Sequence, residues 1–142
     1  MIEFNTSRFG KLTVEEDRVI NFPGGLIGLP ALKRYVLIDY KDTEIKWLQS
    51  VDDPEVAFIV VEPFVLDRNY QLTLSDSVVE QLQLKDPKDL AILIILRVED
   101  GKVIANFQGP LVINSSNKTG AQIIVETASI VTYNNIETVQ KG

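Results

Sequence analysis

WLQSVDDPEVAFIVVEPF, residues 47–64, sets two apolar runs on either side of an acidic turn and contains the chain's one tryptophan. Asp accepts hydrogen bonds from the backbone that follows it and Pro fixes φ, so Asp52-Asp53-Pro54 is expected to reverse the chain between strands at 45–51 and 56–62. The second run, VAFIVV at 56–61, does not alternate apolar with polar, and neither does AILIIL at 91–96. An antiparallel strand with one wet face carries a polar residue at every second position, so both faces of these two strands must be covered. A barrel interior on one side, with the helix, a long loop or another protein on the other, meets that demand.

Outward from this pair the same composition recurs. Short runs rich in Val, Ile, Phe, Leu and Tyr, separated by Gly, Pro, Asp and Asn, read as strands at 2–6, 11–14, 18–22, 35–40, 91–99, 102–107, 111–114 and 121–126. Asp100-Gly101 supplies the positive φ angles of a type I′ hairpin turn between the strands at 91–99 and 102–107. Pro110 has no N–H to give a ladder, which predicts a bulge or bend at QGP. One stretch follows a helical period instead: in LSDSVVEQLQLKDP, 74–87, Val78, Val79 and Leu82 share a face. Ser75 or Ser77 is placed to cap it, and Glu80 to complete a capping box with Ser77. The expectation is an all-β, antiparallel, barrel-like single domain over 1–142 with one short helix ending before Pro87. ASIVTY, 128–133, reads as a last edge strand and 134–142 as a loose tail.

Composition narrows the chemistry. The 142 residues are 45% apolar and 24% charged, the profile of one folded domain. With neither cysteine nor histidine, thiolate catalysis, disulfides and the commonest zinc ligands and general base are excluded. The net charge of −6 disfavours direct nucleic-acid binding. No basic-then-apolar leader opens the chain and no run nears the ~18 apolar residues of a membrane span, which reads as cytoplasmic. Without a secretory route, the glycosylation-type matches at Asn5, Asn114 and Asn117 are coincidental.

Asp52, Asp53 and Glu55 can be read as turn formers, as a recognition surface, or as catalytic carboxylates. The last reading needs two of Asp52, Asp53, Glu55 and Glu62 to converge at roughly 5–9.5 Å, whereas neighbours on a strand point to opposite faces. FPGGLIGLP, 22–30, is glycine-rich, but it lacks the Lys-Ser/Thr of a phosphate loop and the spacing of a dinucleotide fingerprint. Its Leu26, Ile27 and Leu29 either cap the core or form an exposed docking patch. On the second reading, Asp at 26 or 27 weakens partner binding with little change in thermal midpoint. Lys33, Arg34, Lys41 and Lys46 are interspersed with acids and make no basic stripe. Trp47 and Phe58 read as core residues and not as base-stacking platforms.

Four ordered motifs, FPGGLIGL (22–29), WLQSVDDPEVAFIVVEPF (47–64), LSDSVVEQL (74–82) and ANFQGPLVIN (105–114), are similar to those of the FliW family along nearly the whole chain. The resemblance implies an all-β, barrel-like, non-enzymatic protein of the bacterial cytoplasm with no cofactor and no metal. It also implies two partners in flagellum biogenesis. One is newly made flagellin, which it would hold as a chaperone; the other is the RNA-binding translational regulator CsrA, which it would antagonise. An acidic body suits steering toward CsrA's basic surface, and an apolar groove suits the amphipathic ends of flagellin. The candidate partner-binding residues are Leu26, Ile27, Leu29, Asp52, Asp53, Glu55, Phe64 and Asn106, on a protein expected to be a monomer. Three positions depart from the family's pattern: Ile27 stands where Pro is common, Leu29 where Phe is common and Gly109 where Ala is usual. A small-ligand barrel and a carboxylate hydrolase are the alternatives.

Overall fold

Ser50 Oγ accepts the N–H groups of Asp52 (3.1 Å) and Asp53 (3.0 Å), and Asp53 Oδ1 accepts that of Glu55 (3.0 Å). This turn reverses the chain as the sequence requires and lays β5 (Lys46–Ser50) antiparallel to β6 (Ala57–Val61), with Leu48 opposite Phe58. The computed structural model describes residues 1–125 and, for the backbone alone, 131–133. Around the central pair run β3 (Ile20–Asn21), β4 (Arg34–Asp39), β7 (Leu90–Glu99), β9 (Leu111–Asn114) and β10 (Thr119–Gln122). They follow one another as β7-β6-β5-β4-β3-β10-β9, and β9 pairs back onto β7, so seven strands close into a barrel. The seam between β3 and β10 is a single parallel pairing, Asn21 with Thr119.

β7 is long enough to serve two partners in succession. Its first half pairs with β9 (Leu93 opposite Leu111) and its second half with β8 (Lys102–Ala105; Leu96 opposite Ala105), which in turn pairs with β11 (Val131–Tyr133). Residues 106–110 are the expected interruption at Pro110. Asp100 and Gly101, at φ 54° and 76°, make the expected hairpin turn.

Both faces of the two non-alternating strands are covered, by different material. Val60 and Leu93 point into the barrel with Phe22, Leu26, Tyr35 and Leu48. Val61, Ile94 and Leu96 point outward beneath Leu66, Tyr70 and Phe107. Leu66 comes from α1 (Pro63–Leu66), a one-turn helix with Pro63 at its first position. On the other side a two-stranded sheet, β1 (Ile2–Thr6) with β2 (Gly10–Val14), packs Phe4 on Val36 and Val51.

Four details differ from the sequence reading. The strand expected at 18–22 shrinks to Ile20–Asn21, because Glu16–Arg18 forms a 3-10 turn. The strand expected at 121–126 is Thr119–Gln122, set by pairing with β9 after Lys118 turns at positive φ. α2 (Asp76–Leu82) is capped by Ser75, whose Oγ accepts the Val78 N–H at 3.2 Å, so Ser77 and Glu80 lie inside the helix and form no capping box. Proline at the start of α1 was the unread signal for a second helix. Of the expected edge strand, Val131–Tyr133 pairs with β8, while 128–130 and the tail at 134–142 lie outside the described residues.

Tyr35 is fully buried in the barrel core, edge-on to Phe22 at 5.6 Å, and among the described residues its hydroxyl has no hydrogen-bond partner. An unmet buried hydroxyl is costly, so Tyr35→Phe is expected to raise the unfolding free energy by about 1 kcal/mol. Burial, reinforced by Asp52 and Asp53, pushes the Tyr35 pKa from 10.0 up to about 12. A pKa raised on folding favours the folded state fully below the unfolded value and loses that contribution as pH climbs through the folded one. The wild type should therefore lose stability relative to the variant between pH 10 and 12. Burial also raises Tyr70, so urea midpoints of the two proteins are compared as a difference across pH 7–12. A less stable Phe variant would mean that the hydroxyl is satisfied.

Candidate partner-binding surface

The loop between β3 and β4 is three turns in series, of which the first two shape the candidate patch and the third closes from Leu32 N–H to Leu29 O at 3.3 Å. Gly25 N–H closes the first on Phe22 O and Leu29 N–H the second on Leu26 O, both at 2.8 Å. Gly28, at φ 87°, occupies the third position of the second turn, the position where a type II turn requires positive φ. This geometry divides the three apolar residues of the candidate patch. Leu26 is 3% exposed and joins the barrel core, Leu29 is half-buried, and Ile27 at the tip is 59% exposed.

The tip overhangs a groove of about 460 Å³ whose other walls are Val78 and Gln81 of α2 and Ala121, Gln122 and Ile123 at the end of β10. None of the residues lining it is charged, although 24% of the chain is. Ile124, next along the chain, is 70% exposed. α2 is fixed beside the barrel because Asn114, 3% exposed, donates to the carbonyls of Leu82 (2.9 Å) and Gln83 (3.2 Å) at its end. Gln122 and Ile124 carry no mark in the sequence reading, and Val78 enters it only as part of the helix's apolar face. The apolar run IIV at 123–125 hints at Ile124, and it reads equally well as buried strand.

Asn106 joins this region through the backbone. Its Oδ1 accepts the Gly109 N–H at 3.1 Å, Gly109 O accepts from Gln122 Nε2 at 2.9 Å, and Gln122 Oε1 accepts the Ile27 N–H at 2.8 Å.

The acids of the Asp-Asp-Pro turn are engaged separately. Asp52 takes both Nη2 (2.5 Å) and Nε (3.3 Å) of Arg34, and that hydrogen bond raises the Arg34 pKa against the opposing effect of burial. Asp53 holds the turn, and Glu55 accepts the hydroxyl of Ser7, whose N–H bonds Pro54 O at 3.0 Å. Ser7 belongs to the β1–β2 turn, which also places Arg8 4.6 Å from the Trp47 ring centre and Phe9 edge-on to that ring at 6.0 Å. Trp47 and Phe58 are both half-buried. The three carboxylates thus meet three different partners. Among the described residues, no group of three or more Asp, Glu, His or Cys is placed to hold a metal ion.

Phe64 lies elsewhere. It is 53% exposed on α1, edge-on to Tyr70 at 6.0 Å, beside a smaller groove of about 290 Å³ lined by Glu44, Glu62, Val65 and Arg68. The two grooves share no residue. Among the described residues, no helix is long and apolar enough to cross a membrane.

Comparison with known proteins places this arrangement. The family model described as FliW protein matches residues 3–136. A flagellar assembly factor FliW from Alkaliphilus metalliredigens is 35% identical over 141 residues, covering 96% of this chain and 87% of the relative. Another from Syntrophus aciditrophicus is 34% identical over 129 residues, covering 88% and 81%. A crystal structure of the flagellar assembly factor FliW superposes with a TM-score of 0.85 at 32% identity, covering 95% of this chain and 96% of the other. The chain belongs to the FliW family.

Proposed function

We propose that this protein is a cytoplasmic flagellar assembly factor that holds unassembled flagellin and, when free of it, binds CsrA and lifts its repression of flagellin synthesis. The role is one of binding, without catalysis. The observation that carries the flagellin branch is the 59% exposed Ile27 overhanging an uncharged groove beside a helix. An amphipathic segment buries its apolar face in such a groove. The net charge of −6 supports the CsrA branch, since opposite charge speeds encounter with a basic partner. Asp53 and Glu55 are better candidates for that encounter than Asp52, whose carboxylate already faces Arg34.

The test is titration of the protein with flagellin and with CsrA, separately and then together. Flagellin is expected to displace CsrA. Ile27→Asp should weaken flagellin binding at least about tenfold by placing a charge in an apolar contact. Its thermal midpoint should stay within about 2 °C of wild type, because the side chain is mostly in solvent. Independent, non-displacing binding would count against the switch, and undiminished flagellin affinity against this groove.

A further inference from the structure

The Gln122 side chain links the exposed loop tip to the 106–110 turn that lies between β8 and β9. Both ends of its amide are used, the oxygen by Ile27 N–H at 2.8 Å and the nitrogen by Gly109 O at 2.9 Å, which fixes its orientation. Space for the amide comes from Gly109. A Cβ built there would lie 2.8 Å from Gln122 Nε2 and 3.0 Å from Asn106 Nδ2. Gly109 is buried and its own N–H is held by Asn106 Oδ1, so the turn cannot easily retreat.

We propose that Gln122 is a positioning residue for the Ile27 loop tip and that glycine at 109 is what allows it to act. Gln122 is itself a wall of the groove, whereas Gly109 lies outside it, so residue 109 tunes the groove from beyond its lining. A methyl group at 109 collides with the far end of a flexible side chain and not with backbone, so Gly109→Ala leaves the barrel intact and swings the amide away. The Ile27 N–H then loses its acceptor, while the Leu29 N–H to Leu26 O bond still closes the turn beneath the tip. The loop geometry stands on its own. Its consequence for partner binding rests on the reading of the groove as the flagellin site, and the two are measured separately.

The experiment follows amide hydrogen exchange at Ile27 by NMR in the full-length protein. Gln122→Met, similar in shape but without the amide, should accelerate exchange at Ile27 by about five- to tenfold, the loss of one net hydrogen bond. Gly109→Ala should accelerate it by a similar factor, and the double variant should add nothing further, because both act through one amide. The Leu29 N–H, bonded to Leu26 O and not to Gln122, should keep close to its wild-type exchange rate, which general loosening of the loop would not allow. Unchanged exchange at Ile27 in either single variant, additive effects in the double, or equal acceleration at Leu29 overturns the proposal. Flagellin affinity of the same proteins reads the functional assignment. Accelerated exchange with unchanged affinity leaves Gln122 as the positioning residue and removes the groove as the flagellin site.

Discussion

Leu26→Asp is expected to lose more than about 4 kcal/mol of folding stability, enough to unfold much of the population of a domain whose total is about 5–15 kcal/mol. The native side chain is 3% exposed and packs with Phe22, Tyr35 and Leu48 at one end of the barrel core. Truncating a buried leucine costs about 2–5 kcal/mol from lost burial and the cavity left behind. A carboxylate adds the penalty of a buried polar group with no partner. Urea denaturation measures the loss, with Ile27→Asp one residue away as the internal control at under about 0.5 kcal/mol. On the docking-patch reading of the sequence both substitutions spare stability; the structure keeps that expectation for Ile27 and overturns it for Leu26. A Leu26→Asp midpoint close to wild type would mean that residue 26 does not plug the barrel.

The reason that contrast was invisible in the sequence also explains what was legible. The double-faced strands at 56–61 and 91–96 declare themselves because period two either holds or fails over several residues, and its failure demands a second covering layer. Asp100-Gly101 and Asp52-Asp53-Pro54 declare themselves because the needed backbone geometry belongs to few residue types. A loop such as FPGGLIGLP has no period, so nothing local says that Leu26 turns inward and Ile27 outward. That is decided by Leu26 O accepting from Leu29 and by the barrel end below it. The seam between β3 and β10 rests on one residue pair about a hundred positions apart, beyond any local pattern.

The candidate site was legible in part for the same reason. Asp52, Asp53 and Glu55 form the turn that their residue types predict, but their engagement by Arg34 and Ser7 depends on β4 and the N-terminal hairpin folding against them. Asn106 and Gly109 are readable as turn residues, whereas the partner that ties them to Ile27, Gln122, is a polar residue in a strand with no mark of its own. Ile27 and Gly109 lie far apart in sequence, and folding brings both against one side-chain amide.

Gly25→Ala is the second large effect, expected to cost about 2–5 kcal/mol. Gly25 is buried at φ 68°, where any side chain is strained, and an added Cβ would lie 2.5 Å from Leu29 O and 2.6 Å from Pro30 Cα. Both obstacles are backbone of the returning strand of the loop and cannot rotate aside as a side-chain end can. The backbone conformation accounts for about 1 kcal/mol and forced overpacking for about 1–3 kcal/mol or more. Relief requires residues 29–30 to move, which pulls on the Leu26–Leu29 pairing and so on the core position of Leu26. Gly28→Ala separates the two contributions, because Gly28 has φ 87° but no atom within 4 Å of the built Cβ. It should lose only the conformational part, about 1 kcal/mol, and keep a wild-type barrel. Denaturation of the pair gives the outcome directly: equal losses at 25 and 28 would mean that the loop yields around Gly25 and does not lock the end of the barrel, whereas a loss at 25 exceeding that at 28 by 1 kcal/mol or more assigns the difference to the backbone contact with Leu29 and Pro30.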